Sequence, residues 1–441
     1  MSWVVQRIFG LVVLVVLILV LRQIGPLPIP GASTALTLGF LLLCAYIGGL
    51  IAGGLGLSRV TGYIGIGLIL GPSVFGIVSD ADVRGLQPFS SVAIALIALT
   101  AGGELSIERL RGAGRYLASI TLMQTLVVLA LVFAAVLAMS PLLPFTAGRE
   151  FPIVVTMAMV FAALAVASSP SVAIAVITDT GSEGNVTTTV LGVTVLKDVL
   201  VIVLFAVALT IAYSVLEPET AERAGLAVTI AWEVGGSILL GTGFGLAIAA
   251  YLHWVSEHLV VFTIAMAWIL VEVSQTLHLE LLLAALTTGF VLELVNPIEG
   301  DEFVHALEAA SLPLYALFFS LAGAGVHLVE LMHMWQWALL LVAVRALGLW
   351  AGTNLGARLG NAPEEVRRYA WPAFVSQAGV ALGMATLVAR EVPGWGAELQ
   401  GLFVGIVAVH ELIGPIAAKW TLDRAGETGK APRTNVSGLA H

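Results

Sequence analysis

Charge is what this chain has least of. Asp, Glu, Lys and Arg make up 11% of its 441 residues, less than half the roughly 25% usual in soluble domains. Apolar residues supply 59%, so neither a disordered chain nor a soluble enzyme fits. A single cysteine, Cys44, excludes an intrachain disulfide. There is no G-x-x-x-x-G-K-[ST] loop to cradle ATP, so any energy the chain uses must come from ion gradients or a partner. There is no H-E-x-x-H either: His410-Glu411 lacks the second histidine, and neither a transition-metal site nor another cofactor is expected. The net charge of −9 argues against nucleic-acid binding.

What the sequence does have is long apolar runs separated by short polar loops. A 19-residue window gives about fourteen spans, an all-α polytopic membrane protein. The first run, Ile8 to Leu21, follows Arg7 and ends without a small-x-small cleavage site, so it is expected to stay as a span. With the N-terminus on the cytoplasmic side, the basic loop residues divide 12 to 5 in favour of that side. Arg59, Arg109, Arg358 and Lys419 are among the 12, and Arg84 and Arg149 among the 5. An odd number of spans mixes the two sets, so both termini are expected in the cytoplasm, in a bacterial inner membrane.

Three pairs of segments match in order. ALIALTAGGELSIERL (95–110) pairs with ALFFSLAGAGVHLVEL (316–331), AVASSPSVAIAVI (165–177) with AFVSQAGVALGMA (373–385), and GVTVLKD (192–198) with GIVAVHE (405–411). The offset is seven spans each time. Seven is odd, so the halves have opposite orientation, the inverted repeat of secondary transporters. The expected organisation is an extra N-terminal span (1–30), a first repeat of six helices (31–215), a linker span (216–256), a second repeat of six (257–422) and a short disordered cytoplasmic tail (423–441).

Each repeat is expected to hold one broken helix, in corresponding positions. Pro170, within Ala-Ser-Ser-Pro-Ser in mid-span, lacks an N–H and clashes with the carbonyl four residues back. The freed carbonyls, with the hydroxyls of Ser168 and Ser169, are tolerated where they line a cavity or hold an ion. The counterpart is Ser376-Gln377-Ala378-Gly379, where Gln377 and Gly379 mark the break.

A charge at a helix centre costs about 2.5–3.5 kcal/mol on insertion scales. Asp198 is the one aspartate deep in a span. A lone midplane carboxylate can bind a hard cation or a proton, which is the minimum needed for exchange. Lys197 points about 100° away from it on a helix. Thr194, one turn earlier, offers a hydroxyl to the site or back to its own helix. His410-Glu411 is the symmetry mate, followed by a second expected break at Gly414-Pro415. Arg345 is expected to compensate a buried acid, with Glu104, Glu272 and Glu411 as candidates.

The runs RVTGYIGIGLILGPSVFGI (59–77), GGELSIERLRGAGR (102–115), ASSPSVAIAVITDTGSEGNVTTTVLGVTVLKDVL (167–200), FVSQAGVALGMATLVAR (374–390) and ELIGPIAAKWTLDRAGE (411–427) resemble the bacterial monovalent cation/proton antiporters, on the branch with sodium/proton exchangers and Kef-type potassium efflux systems. The resemblance covers roughly 55–427. It implies that Asp198 alternates between Na⁺ or K⁺ and a proton, with Ser168 and Ser169 in the ligand region. It also implies a homodimer whose core moves the site elevator-fashion across the bilayer. Where members carry Asn, Asp or Gln before the key aspartate, this chain has Lys197. That lysine either serves as the ion-pair partner a cation must displace, or disables cation binding. A Kef-like potassium pathway and an anion or organic-solute carrier on the same scaffold remain as alternatives.

Overall fold

The computed structural model describes residues 3–23, 32–104, 107–143, 146, 148–216, 225–255, 259–295, 313–326, 328–377, 379–392 and 395–430. Every regular element among them is helical. The first half comprises α1 (Trp3–Gln23), α2 (Ala32–Gly54), α3 (Arg59–Leu70), α4 (Asp80–Gly85), α5 (Gln87–Glu104), α6 (Ile107–Met139), α7 (Phe151–Val166), α8 (Pro170–Thr180) and α9 (Asn185–Leu216). Then come α10 (Gly225–Trp254), α11 (Leu259–Thr276), α12 (Leu281–Val295) and α13 (Pro313–Ala324). The chain closes with α14 (Leu328–Leu359), α15 (Glu364–Tyr369), a 3-10 turn at Trp371–Phe374, α16 (Gly379–Glu391) and α17 (Gly396–Ala425).

Among the described residues seven stretches are long and apolar enough to cross a membrane, with α7 and α8 counting together as Phe151–Thr180, and six more are apolar but shorter. The expected span 367–390 is divided among α15, the 3-10 turn and α16. Together these account for the fourteen spans read from the sequence.

Two packing groups stand out among the described helices, beside α1, α2 and α3, which pack on one another. α6, α7, α9, α14, α16 and α17 pack chiefly on one another, while α5, α10, α11 and α12 form a second set. In the second set α5 and α12 meet backbone to backbone. Gly102 lies on the Leu286 carbonyl and Gly289 on the Leu99 carbonyl, and neither place has room for a Cβ. Small residues allow this approach between membrane helices, where packing substitutes for a hydrophobic drive.

Two expectations change here. The break at Gly414-Pro415 is absent, because α17 runs through Pro415. Gly414 instead leaves space for the Cα and Cβ of Ser376. The tail expected from Asp423 also begins later. α17 continues to Ala425 and ends on Gly426 at φ 69°, a left-handed cap suited to glycine. Beyond it Glu427 is buried, and its carboxylate accepts from Val186 N (2.8 Å), Thr187 N (2.7 Å) and Thr187 Oγ1 (2.7 Å). These are donors at the N-terminus of α9, where a negative charge also complements the helix dipole. Residues 431–441 lie outside the described residues. Replacing Glu427 with Ala strands buried donors, so the unfolding midpoint should fall by the equivalent of about 1–3 kcal/mol. An unchanged midpoint in a thermal scan would show that the clasp adds nothing.

Candidate ion-binding site

Pro170 sets the first break. α7 stops at Val166, and α8 restarts with Pro170 in its first turn, where a missing N–H costs nothing. Ser169 caps the new helix by accepting from Val172 N at 3.3 Å. The opposing break lies between the 3-10 turn and Gly379 at the start of α16. The two stretches cross and are stitched together. Ser169 N donates to the Ser376 carbonyl at 2.9 Å, and Ser168 Oγ to the Phe374 carbonyl at 3.0 Å. Gln377 Nε2 donates to the Leu164 carbonyl at 3.2 Å.

Arg345 holds this crossing. Its Nε donates to the Ala165 carbonyl (2.8 Å), Nη1 to Val375 (2.7 Å), and Nη2 to Ala167 (2.7 Å) and Phe374 (3.3 Å). The guanidinium is 1% exposed. The acid partner expected from the sequence is therefore replaced by backbone. The α7 C-terminus and the 3-10 turn leave carbonyls unsatisfied, and their dipoles present partial negative charge. Five N–H donors in a planar fork meet several carbonyls at once, which an ammonium cannot do. Of the proposed partners, Glu272 is exposed, Glu411 is buried, and the side chain of Glu104 lies outside the described residues.

Lys197 reaches the same place. Its Nζ donates to Ser168 Oγ at 2.9 Å and to Gln124 Oε1 at 3.1 Å, and sits 5.9 Å from the Phe374 ring centroid. Gln124 Nε2 in turn donates to Thr353 Oγ1 at 2.6 Å. The other half repeats the pattern. His410 Nδ1 lies 2.8 Å from Gln377 Oε1. Because Gln377 spends its amide N–H on a carbonyl, its oxygen accepts and His410 Nδ1 carries the hydrogen. In both repeats the residue before the acid touches its own broken helix.

Asp198 does not join this network. It is 8% exposed, and neither carboxylate oxygen has a hydrogen-bond partner among the described residues. It lines a pocket of about 10 Å³ with Val195, Val199 and Ile202 of α9, facing Glu280 and leucines of α12. Thr194 donates back to the Val190 (2.8 Å) and Leu191 (3.0 Å) carbonyls, so its hydroxyl hydrogen serves its own helix. Ser169 Oγ lies 3.0 Å from Ser171 Oγ. The crossing thus gathers Ser168, Gln377, Arg345 and Lys197, while Asp198 faces the second helix group. No Lys197–Asp198 ion pair is present among the described residues.

Sequence reasoning missed Gln124, Thr353 and Glu280. Gln124 carried a signal, as a lone amide within the apolar run TLMQTLVV. Glu280 precedes an apolar run and has the sequence appearance of an ordinary helix cap.

An all-helical membrane bundle with two crossed broken helices and a buried carboxylate defines a secondary transporter. Residues 39–423 match the family described as sodium/hydrogen exchanger, transmembrane. The chain belongs to that family; it is a multi-pass membrane antiporter of cations and protons, not an enzyme. It is similar to the Na⁺/H⁺-K⁺ antiporter GerN of Bacillus cereus, 24% identical over 413 residues, 90% of this chain and 98% of GerN. The probable Na⁺/H⁺ antiporter GerT of the same organism is 29% identical over 171 residues, 38% of this chain and 41% of GerT. Two structures of the sodium proton antiporter MjNhaP1 from Methanocaldococcus jannaschii share the fold at 18% identity. One, at pH 8, has a TM-score of 0.66 with 90% of this chain and 98% of the other covered. The second has 0.71 with 89% and 97%.

Proposed function

We propose that the protein exchanges Na⁺ or K⁺ for protons, with Asp198 binding each in turn as the site opens to alternate sides. The observation that carries this reading is a buried carboxylate whose two oxygens are free of hydrogen bonds. A structural acid at that depth needs partners; a carrier needs open coordination. The K⁺ option is supported by the name of GerN, an Na⁺/H⁺-K⁺ antiporter. The working unit is a homodimer in a bacterial inner membrane with both termini cytoplasmic. The group containing α9 moves against the group containing α12, elevator-fashion.

The test is reconstitution in liposomes with an internal pH dye and separate additions of Na⁺, K⁺ and Li⁺. At least one cation drives proton movement on this account. No response to any of them in a folded preparation overturns it.

Lys197 is held in place by Ser168 and Gln124 and opposes a cation when it carries its proton. Its neighbouring charge opposes cation entry. Lys197→Asn should keep exchange and lower the half-saturating cation concentration several-fold. Loss of exchange in a folded Lys197→Asn would instead make the lysine the proton carrier.

A second reading has one observation in its favour. Lys197 and Arg345 bring two cations to the crossing with no acid bonded to either among the described residues. That is a setting for an anion or organic-solute carrier, and proton movement driven by anions but by no cation would select it.

A further inference from the structure

We propose that Glu280 completes the cation site, so that a monovalent cation binds between the carboxylates of Asp198 and Glu280, one from each helix group. This rests on the exchange reading and adds a ligand that the crossing does not supply.

Both carboxylates line the same pocket of about 10 Å³, and the rest of its lining is Val, Ile and Leu. That is room for about one water-sized body. The chemistry on offer is carboxylate oxygen and aliphatic carbon, which suits a hard cation and repels an anion. Two ionised carboxylates lining one small pocket repel unless a proton or a cation joins them there. Lys197 does not occupy that position, because its ammonium is committed to Ser168 and Gln124. Asp198, at 8% exposure, supplies on one side two carboxylate oxygens with no hydrogen-bond partner among the described residues.

Glu280 is built into the other side. It stands just before α12, its N–H donating to Ser237 Oγ at 2.9 Å, and its Oε2 accepting from Leu283 N. The cap takes the backbone N–H groups of Leu283 and Leu282, whereas an ionised carboxylate has about four lone-pair sites. It fixes the side chain without exhausting it. α9 and α12 belong to different packing groups. Sliding one group against the other separates the two carboxylates, weakens the site and releases the cation.

A helix cap alone accounts for Glu280 in the competing explanation, and the two are separable. Glu280→Gln and Glu280→Asn keep an oxygen to accept from Leu283 N but remove the charge. Glu280→Asp keeps the charge. The full-length protein is measured in two ways: the half-saturating Na⁺, K⁺ or Li⁺ concentration in proteoliposomes, and the rise in unfolding midpoint when each cation is added in detergent. The Gln and Asn variants should fold with a near wild-type midpoint, lose most cation-induced stabilisation, and need roughly tenfold or more cation for half-saturation. Glu280→Asp should stay within a few-fold of wild type. A folded Glu280→Gln or Glu280→Asn that exchanges at wild-type half-saturation overturns the proposal and leaves Asp198 as carrier. Absence of cation-driven proton movement in wild type overturns the exchange reading instead. In that event, cation-induced stabilisation lost in Glu280→Gln still supports the two-carboxylate site, and its absence in wild type overturns that too.

Discussion

Replacing Asp198 with Asn should abolish cation-driven proton movement while leaving the protein as stable as wild type, or more so. The two halves of that expectation have one cause. Both oxygens of Asp198 are buried and unpartnered, so the native structure makes no hydrogen bond that the substitution breaks. Removing an uncompensated buried charge relieves a desolvation cost. The carboxylate's value lies wholly in what it binds. A neutral amide cannot exchange a proton near neutral pH and offers a cation no charge. Initial rates should fall by at least roughly 100-fold, the ratio that about 2.7 kcal/mol of lost binding produces. A thermal scan of the same preparation reads the second half. Retained exchange removes Asp198 from the mechanism; lost exchange with a collapsed midpoint makes it a structural residue.

Arg345 is expected to behave in the opposite way. Its guanidinium satisfies carbonyls on both sides of the crossing, from Ala165 and Ala167 to Phe374 and Val375. Arg345→Leu leaves those carbonyls buried and unbonded, at about 1–3 kcal/mol each. The losses are not additive, yet two of them approach the whole stability of a marginal protein. The variant should unfold well below wild type or fail to accumulate in the membrane. Arg345→Lys should recover only part of the loss, since an ammonium lacks the fork that reaches four carbonyls. A folded Arg345→Leu with a wild-type midpoint would show that the crossing is held by its own Ser168, Ser169 and Gln377 bonds.

The contrast between these residues shows what the sequence could and could not carry. The spans were legible because a membrane demands about 20 apolar residues per helix. The first break was legible because Pro170 cannot continue a helix, and its mate because the repeat sets Ser376-Gln377-Ala378-Gly379 against Ser168-Ser169-Pro170-Ser171. The base–acid order of Lys197-Asp198 and His410-Glu411 marked two helices whose residue before the acid reaches a break. Arg345 was visible as a buried charge, but its partners were not. Backbone carbonyls freed by a break have no residue code, so a search for acids named Glu104, Glu272 and Glu411 in their place. Glu280 escaped for a different reason. Its pocket exists only where α9 meets the head of α12, with Asp198 and Glu280 82 residues apart in the chain, and nothing in the local pattern marks that meeting. Thr194 faced the right way around its helix but bonded to its own turn, which i−4 geometry always permits. Glu427 was assigned to a tail because a polar, charged stretch after the last span resembles one. Its burial follows from the N–H groups at the head of α9, again a backbone feature.

The central claim is that a cation and a proton compete for Asp198. Its most direct test uses purified protein in weakly buffered detergent with a pH indicator, before and after adding Na⁺, K⁺ or Li⁺. Ligands that must be deprotonated release protons as the cation binds. Wild type should acidify the medium in saturable fashion with the cation that drives transport, and Asp198→Asn should not. Equal proton release from a folded Asp198→Asn, or none from a wild-type preparation that moves protons in liposomes, would contradict the account.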